Sequence, residues 1–246
     1  MRFWAMFLGS LLSVAMLRAD QAADIARIHL EAIGGRERIA SLVALRVSGY
    51  VMAGGKRVKF TMIAARPDRV RLETQSNGRT LVNASDGIDP PWEFDTGTWP
   101  PRYREMGDSA AKSFTADAEF DDPLVAGEAR GFTLDFGGQV ERNGRKLLRV
   151  LVTKKLAETF TVLVDPDTYF IVQREEARAT STGRQRPIVT RYEDFRPVDG
   201  VLLPHRVTLE TDGRVAQEMI METIETNPEL SPETFTRPRA GVAESK

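Results

Sequence analysis

The sequence predicts a mainly β protein: a curved antiparallel sheet with one face covered by a few helices. Three observations carry this. From Thr159 to Glu225 the chain reads as strand, turn, strand, repeated with little interruption. From Val43 to Ala84 apolar residues recur with period two. Helical periodicity appears only near the N-terminus and again mid-chain. An antiparallel sheet of this kind commonly packs one face and wets the other. What covers the apolar face, and whether space remains beneath the cover, is the functional question.

In chain order, Gln21–Ile33 has helical spacing, with Ile25, Ile28 and Ala32 on one face, and Gly34-Gly35 supplies a C-terminal stop. Arg36–Leu42 adds a turn or two, with Ile39 and Leu42 facing inward. Val43–Val51 and Val58–Ala64 then alternate, separated by Gly54-Gly55. Arg66-Pro67-Asp68 breaks the ladder, because proline has no backbone donor. Arg69–Gln75 and Arg79–Ala84 flank Asn77-Gly78, a strong hairpin turn. Ile88–Arg104 mixes four prolines with Trp92, Phe94, Trp99 and Tyr103. It reads as a loop around a short strand at Trp92–Asp95. Its aromatics either cap the end of a core or form the rim of a ligand mouth.

Glu105–Leu124 recovers helical character through Ala110, Ala111, Phe114 and Ala118, and a short helix is possible near Leu124–Gly127. Strands follow at Arg130–Gly137 and Lys146–Thr153, with Gly137-Gly138 and Asn143-Gly144 read as turns. In the closing series the turns fall at Asp165–Thr168, Arg196–Gly200 and Asp212-Gly213. No repeat or low-complexity linker divides the chain. One domain over residues 20–236 is expected, with a disordered tail over 237–246.

Arg2 followed by the apolar run Phe3–Leu17 reads as a signal peptide over residues 1–19, with Ala22 or Ala23 as alternative cleavage positions. The run is short for a spanning helix, which needs roughly 20 residues; an uncleaved anchor is the rival reading. A periplasmic location follows if the source has two membranes. There is no cysteine, hence no disulfide and no lipidation site. A formal charge of −1 on 246 residues gives no electrostatic reason to expect nucleic acid.

Catalytic signatures are missing. His29 and His205, the only histidines, lack metal-ligand spacing and read as surface or core-edge residues. No Gly-x-Ser-x-Gly elbow, cysteine nucleophile or phosphate-cradling glycine loop is present. The acidic run Asp117, Glu119, Asp121, Asp122 lacks the pattern of a calcium loop and reads as a solvated helix end. No enzyme activity, cofactor or metal is expected.

The order of these parts resembles the LolA-like group of periplasmic lipoprotein carriers, loosely including LolB and the LppX-type carriers. The resemblance rests on Ala65-Arg66-Pro67-Asp68-Arg69-Val70-Arg71, on Ser85-Asp86-Gly87 followed by Trp92-Glu93-Phe94-Asp95, and on Asp165-Pro166-Asp167-Thr168 with Ile171. Tyr192–Phe195 with Asp199-Gly200 and Pro204, then Asn227 with Leu230 and Phe235, complete it. The insert Ile88–Pro91 and the acidic mid-chain helix depart from the family pattern. The resemblance implies an unclosed half-barrel whose apolar concave face, under helices, takes up acyl chains of a lipoprotein or another lipid. It implies an inner-membrane transporter and an outer-membrane acceptor as partners, and a monomer. Arg66 matches the family's arginine before proline, implicated in holding a lid. Trp92, Phe94, Trp99 and Phe114 are the other candidate ligand or lid residues. Two further functions compete: an envelope-stress sensor of the same fold, and a hydrolase with a dispersed site. Paired buried carboxylates in the concavity would favour the hydrolase.

Overall fold

A computed structural model describes residues 20–155, 158–180 and 182–237. The signal-peptide reading (1–19) and nearly all of the expected tail (238–246) lie outside the described residues. The described chain opens with helix α1 (residues 20–32) and the short α2 (Arg36–Ser41). A six-stranded meander follows: β1 (Ala44–Ala53), β2 (Lys56–Ala65), β3 (Arg69–Ser76), β4 (Arg79–Ser85), β5 (Trp92–Asp95) and β6 (Arg102–Glu105). Helices α3 (Asp108–Asp117) and α4 (Pro123–Arg130) cross to a seven-stranded meander. Its strands are β7 (Thr133–Arg142), β8 (Arg145–Thr153), β9 (Thr159–Val164), β10 (Ile171–Ala179), β11 (Gln185–Val198), β12 (Val201–Thr211) and β13 (Arg214–Thr226).

The two meanders join along β1 and β13, giving one antiparallel sheet of 13 strands in the order β6-β5-β4-β3-β2-β1-β13-β12-β11-β10-β9-β8-β7. Strands β6 and β7 remain edges, so the sheet does not close into a barrel. The expected half-barrel class is therefore observed. The central seam needs a glycine. The register of β1 on β13 shifts between Ser48 and Gly49, and a Cβ at Gly49 would collide with the Ile220 carbonyl.

Some boundaries differ from the sequence reading. Gly137-Gly138 does not end a strand: β7 runs through it as a bulge, with Gly138 at φ 85. Arg102–Glu105 form the edge strand β6, where the sequence reading has a loop to Arg104 and helical character from Glu105. The buried stripe of α1 is Ala22, Ile25 and His29, continued by Ile33 in the turn that follows, so a histidine takes the place expected of Ile28 and Ala32.

Cross-strand register sorts the side chains onto two faces. The inner face, which carries the helices, holds Val47, Val51, Phe60, Met62 and Leu72 from the first meander. From the second it holds Met221, Met219, Val207, Tyr192, Val162 and Val150. The β8–β10 end is filled. Ala22, Ile25 and Leu124 from α1 and α4 pack with Val150, Val152, Phe160, Val162, Val164 and Ile171. A second cluster seats Ile33, Ile39 and Leu42 on Val201. The outer face of β2–β5 is covered separately by the C-terminal segment, where Phe235 packs with Ala44 and Ala65 and Leu230 with them.

Candidate functional site

Arg66 stands at the turn between β2 and β3, after an alternating strand and before the Pro67 break. Its guanidinium reaches both α2 and the α3–α4 linker. It donates to the carbonyl oxygens of Ile39 (2.8 Å), Ala40 (3.1 Å) and Leu42. All three lie at the C-terminal end of α2, where a short helix leaves carbonyls without helical partners; that of Ile39 also accepts the Leu42 N–H at 3.2 Å. Asn227 Nδ2 takes the Ser41 carbonyl at 2.9 Å. The same guanidinium grips Asp121 with two parallel bonds, Nε–Oδ2 at 2.9 Å and Nη2–Oδ1 at 2.5 Å, and lies 4.9 Å from the Phe120 ring.

Two more pairs fasten the same linker. Asp68, two residues beyond Arg66, receives a fork from Arg130 at the end of α4, both bonds 2.8 Å. Asp122 caps α4 by accepting the N–H groups of Leu124 and Val125, with Pro123 in the first helical turn. The other Asp122 oxygen meets His29 Nε2 at 2.9 Å, and His29 Nδ1 meets the Tyr169 carbonyl at 2.7 Å. Both partners only accept hydrogen bonds, so the ring satisfies them together only as an imidazolium, donating from each nitrogen. Burial, with the histidine 2% exposed, opposes that charge. The Asp122 charge and hydrogen bond, helped by the Tyr169 carbonyl, prevail and hold the His29 pKa above its ordinary value. Burial likewise works against the Asp122 carboxylate. The His29 charge and the capping N–H groups outweigh it and hold that pKa down.

The acidic run expected to be solvated is thus the fastening of the helical cover. Asp121 binds Arg66, Asp122 binds His29, and Glu119 binds Lys154. Sequence reasoning missed these roles, as it missed Asp68, Arg130 and His29. The available signal was an unusual density of acids between two helices; their cationic partners lie 35 to 93 positions away.

The aromatic candidates are dispersed. Trp92 and Phe94 come together on β5, but by register on the outer face, in line with Ala84, Arg71 and Ile63. Trp92 is buried there and its indole N–H donates to the Phe235 carbonyl at 3.4 Å. Trp99 lies in the β5–β6 turn and is 91% exposed. Phe114 is half-buried on α3. None of these joins Arg66 in one cluster.

Beyond the filled end, the inner face continues across β12, β13, β1, β2 and β3. Beside the buried Val47, Phe60, Ala64 and Val70, its apolar residues there include Val207, Leu209, Met219, Met221, Val51, Val58, Met62 and Leu72. All eight are half-buried rather than buried. The inner face, mainly apolar, is interrupted by polar side chains on β10. On β10 the inward positions are Arg174, Glu176 and Arg178, facing a cavity of about 520 Å³ beneath α3. Glu176 is held by both arginines, and Glu119 by Lys154 with Arg174 at 3.8 Å. These buried carboxylates are separated by a guanidinium rather than sharing a proton, unlike an acid–base pair. Among the described residues no group of three or more metal-ligating side chains converges, and no helix is long and apolar enough to cross a membrane.

No family model and no curated protein matches the chain. Solved structures do. A domain from Vibrio parahaemolyticus, described with outer membrane lipoprotein-sorting proteins, superposes with a TM-score of 0.57 at 12% identity, over 89% of this chain and 97% of that one. A DUF1329 family protein from Desulfovibrio piger gives 0.59 at 12% identity, again over 89% and 97%. A LolA superfamily protein from Nitrosomonas europaea gives 0.53 at 14% identity, over 91% and 98%. At these identities the likeness concerns architecture. With the open 13-stranded sheet, its helical cover and its two free edges, the chain has the LolA-like fold.

Proposed function

We propose that this protein is a carrier that shelters the acyl chains of a lipoprotein or another lipid against the inner face of its sheet. The observation that carries the reading is the apolar strip from Val207 and Leu209 through Met219 and Met221 to Val51, Val58, Met62 and Leu72, left half-buried on the helix-bearing face. An acyl chain gains about 0.8 kcal/mol per CH₂ removed from water, so a strip of this width suits it. Two of the eight residues are methionines of β13, whose flexible thioethers adapt to chains of different shape. The fold shared with a lipoprotein-sorting domain and a LolA superfamily protein supports the same reading.

In this reading Arg66 holds the cover. It joins the β2–β3 turn to α2 and to the linker before α4, so opening the strip would exchange these bonds for water. The chain acts in the periplasm, alone, between a membrane donor and an acceptor, and residues 20–236 work as one unit.

The test is direct. The purified protein is freed of lipid, mixed with a detergent-dispersed acylated lipoprotein, and separated by gel filtration after detergent removal. A soluble one-to-one complex is expected, with Met219→Asp unable to form it. A wild-type protein that retains no acylated molecule overturns the carrier reading.

A further inference from the structure

Exposed bulky side chains stand at both edges where the strands turn. Ile88, in the β4–β5 loop, and Trp99, in the β5–β6 turn, are each 91% exposed. Ile88 sits between Asp86 and Asp89, on the edge that carries the Arg66 fastening. Trp99 belongs to the opposite edge. The topology builds that edge from the β5–β6, β3–β4, β1–β2, β12–β13 and β10–β11 turns, in that order. Val215, 62% exposed, stands beside the β12–β13 turn of the same edge.

This row of hairpin tips carries a charge surplus. The acids in and beside its turns are all paired: Asp95 takes a fork from Arg79, Asp212 meets Arg186 at 3.1 Å, and Glu210 meets Arg191. Further in, Glu218 meets Arg206 at 3.4 Å, Glu222 meets Arg57 at 3.5 Å, and Glu176 takes both Arg174 and Arg178. Lys56, Lys59, Arg102, Arg184 and Arg214 are exposed and make no ion pair among the described residues. Toward α3 the surplus stops, because the exposed Asp108 and Glu158 offset the exposed Lys112 and Lys155.

The turn that presents Trp99 is braced. Asp95 accepts the Gly97 N–H at 2.8 Å as well as the Arg79 fork, and Thr98 Oγ1 donates to the Pro100 carbonyl at 3.1 Å. The indole is thus held out by an ordered backbone and gives up little chain entropy on entering a less polar layer. The apolar strip runs out to the same edge. Val51 lies opposite Val58 and Met219 just inside the β1–β2 turn, and Leu209 lies just inside the β12–β13 turn.

We propose that this edge docks the protein on a bilayer surface bearing anionic headgroups, with Trp99 in the interfacial layer and the five unpaired cations facing the headgroups. Tryptophan is enriched at that level of a bilayer. Each Lys or Arg near an anionic surface adds attraction, within about a Debye length. Asp86 and Asp89 disfavour the same role for Ile88. Docking in this orientation sets the outer end of the strip against the bilayer and leaves the Arg66 fastening on the far edge. It requires no cargo and so stands apart from the carrier reading.

The test uses the chain as an exporting host releases it, sedimented with vesicles of phosphatidylcholine alone or of equal parts phosphatidylcholine and phosphatidylglycerol. Each variant is compared with the same chain, so any lipid affinity of Phe3–Leu17 cancels. Binding to the anionic vesicles is expected, falling as salt is raised, with little binding to the neutral ones. Lys56→Gln with Arg214→Gln should weaken it at least about tenfold, the scale of two charges at such a surface. Trp99→Ala should weaken it several-fold and leave acyl retention unchanged. All three positions are exposed, and circular dichroism checks that the variants are folded. Equal binding to both vesicles, or binding unmoved by the double substitution, overturns the docking edge and leaves the carrier reading standing. A protein that ignores both vesicles also overturns it, and leaves the cations to an acidic protein partner. Docking without acyl retention upholds the edge and removes the carrier reading alone.

Discussion

The two ends of the inner face are built from the same kind of strand and end up in opposite states. At the β8–β10 end, Val150, Val152 and Val162 are buried under Ala22, Ile25 and Leu124. At the β12–β13–β1–β2 end, Leu209, Met219, Val51 and Met62 point the same way and stay half-buried. Alternation cannot explain the difference, because both ends alternate. The helices explain it. The turn after α1 is pinned where the Ile33 carbonyl accepts the Leu202 N–H at 2.8 Å, and a Cβ on Gly34 would press on the Gly200 carbonyl at 2.7 Å. This seats α1 over the second meander. One end of the face is thereby a closed core, and the other keeps half-buried apolar residues beside the buried Val47 and Phe60.

The largest expected effect comes from placing one charge at each end. Val150→Asp buries an unpaired carboxylate in the filled half, between Phe136 and Val162, and should cost more than about 4 kcal/mol, enough to leave little folded protein. Met219→Asp places the same charge where water reaches it and should change the melting temperature little while abolishing acyl retention. Thermal unfolding by circular dichroism checks both. Similar destabilisation by the two substitutions would erase the distinction between core and strip.

The next effect concerns what holds the cover. Arg66→Leu removes the donor to three carbonyls of the α2 end and the partner of Asp121. Since both side chains of that pair retain about a quarter of their exposure, water makes up part of the loss. A destabilisation of about 2–3 kcal/mol is expected. Cargo should also be released faster, because the α3–α4 linker loses its tie to the β2–β3 turn. Unchanged release with a lowered melting temperature would make Arg66 a structural residue only.

How much of this was legible beforehand depends on the range of the interaction. The hairpins at Asn77-Gly78 and Asp212-Gly213, the stop at Gly34-Gly35 and the inward Ile39 and Leu42 follow from local backbone chemistry, and all stand where the sequence placed them. The outward turn of Trp92 and Phe94 did not follow. It depends on the Leu230–Phe235 segment, more than 130 positions on, covering the outer face. The polar inward positions of β10 were written in plain sight as Arg174-x-Glu176-x-Arg178, with the period of two that should have placed all three on one face. They went unread because charge alternating along a strand ordinarily marks its wet side.

His29 supplies a smaller and pH-dependent effect. Its folded pKa lies above the ordinary 6.5, so its contribution is fully present below that value and is lost as pH rises through the raised one. Asp122 has a lowered pKa, so its contribution is present above the ordinary carboxylate range and is lost as pH falls through the lowered value. The His29–Asp122 latch is therefore strongest in mildly acidic solution. Stability should decline on going from about pH 6 toward pH 9 as the imidazolium loses a proton and one of its two acceptors loses its donor. His29→Gln should cost about 1.5–3 kcal/mol at pH 6 and flatten that decline. A parallel pH profile for wild type and variant would mean that the latch does not titrate there.

The smallest effect separates the aromatic rim from the strip. Trp99 is 91% exposed in the β5–β6 turn, and the strand before it turns its aromatics to the outer face. If the acyl chains lie on the inner face between β12 and β2, Trp99→Ala should leave both stability, within about 0.5 kcal/mol, and acyl retention unchanged. Trp92→Phe should lower stability by about 1 kcal/mol through the lost bond to the Phe235 carbonyl, again without touching retention. The pair is informative because the two tryptophans differ in burial and agree in face. A loss of retention in Trp99→Ala alone would place a ligand mouth at the β5–β6 turn. A loss in both would put the ligand on the outer face, under the C-terminal segment, and would reverse the assignment of which face of this sheet is the working one.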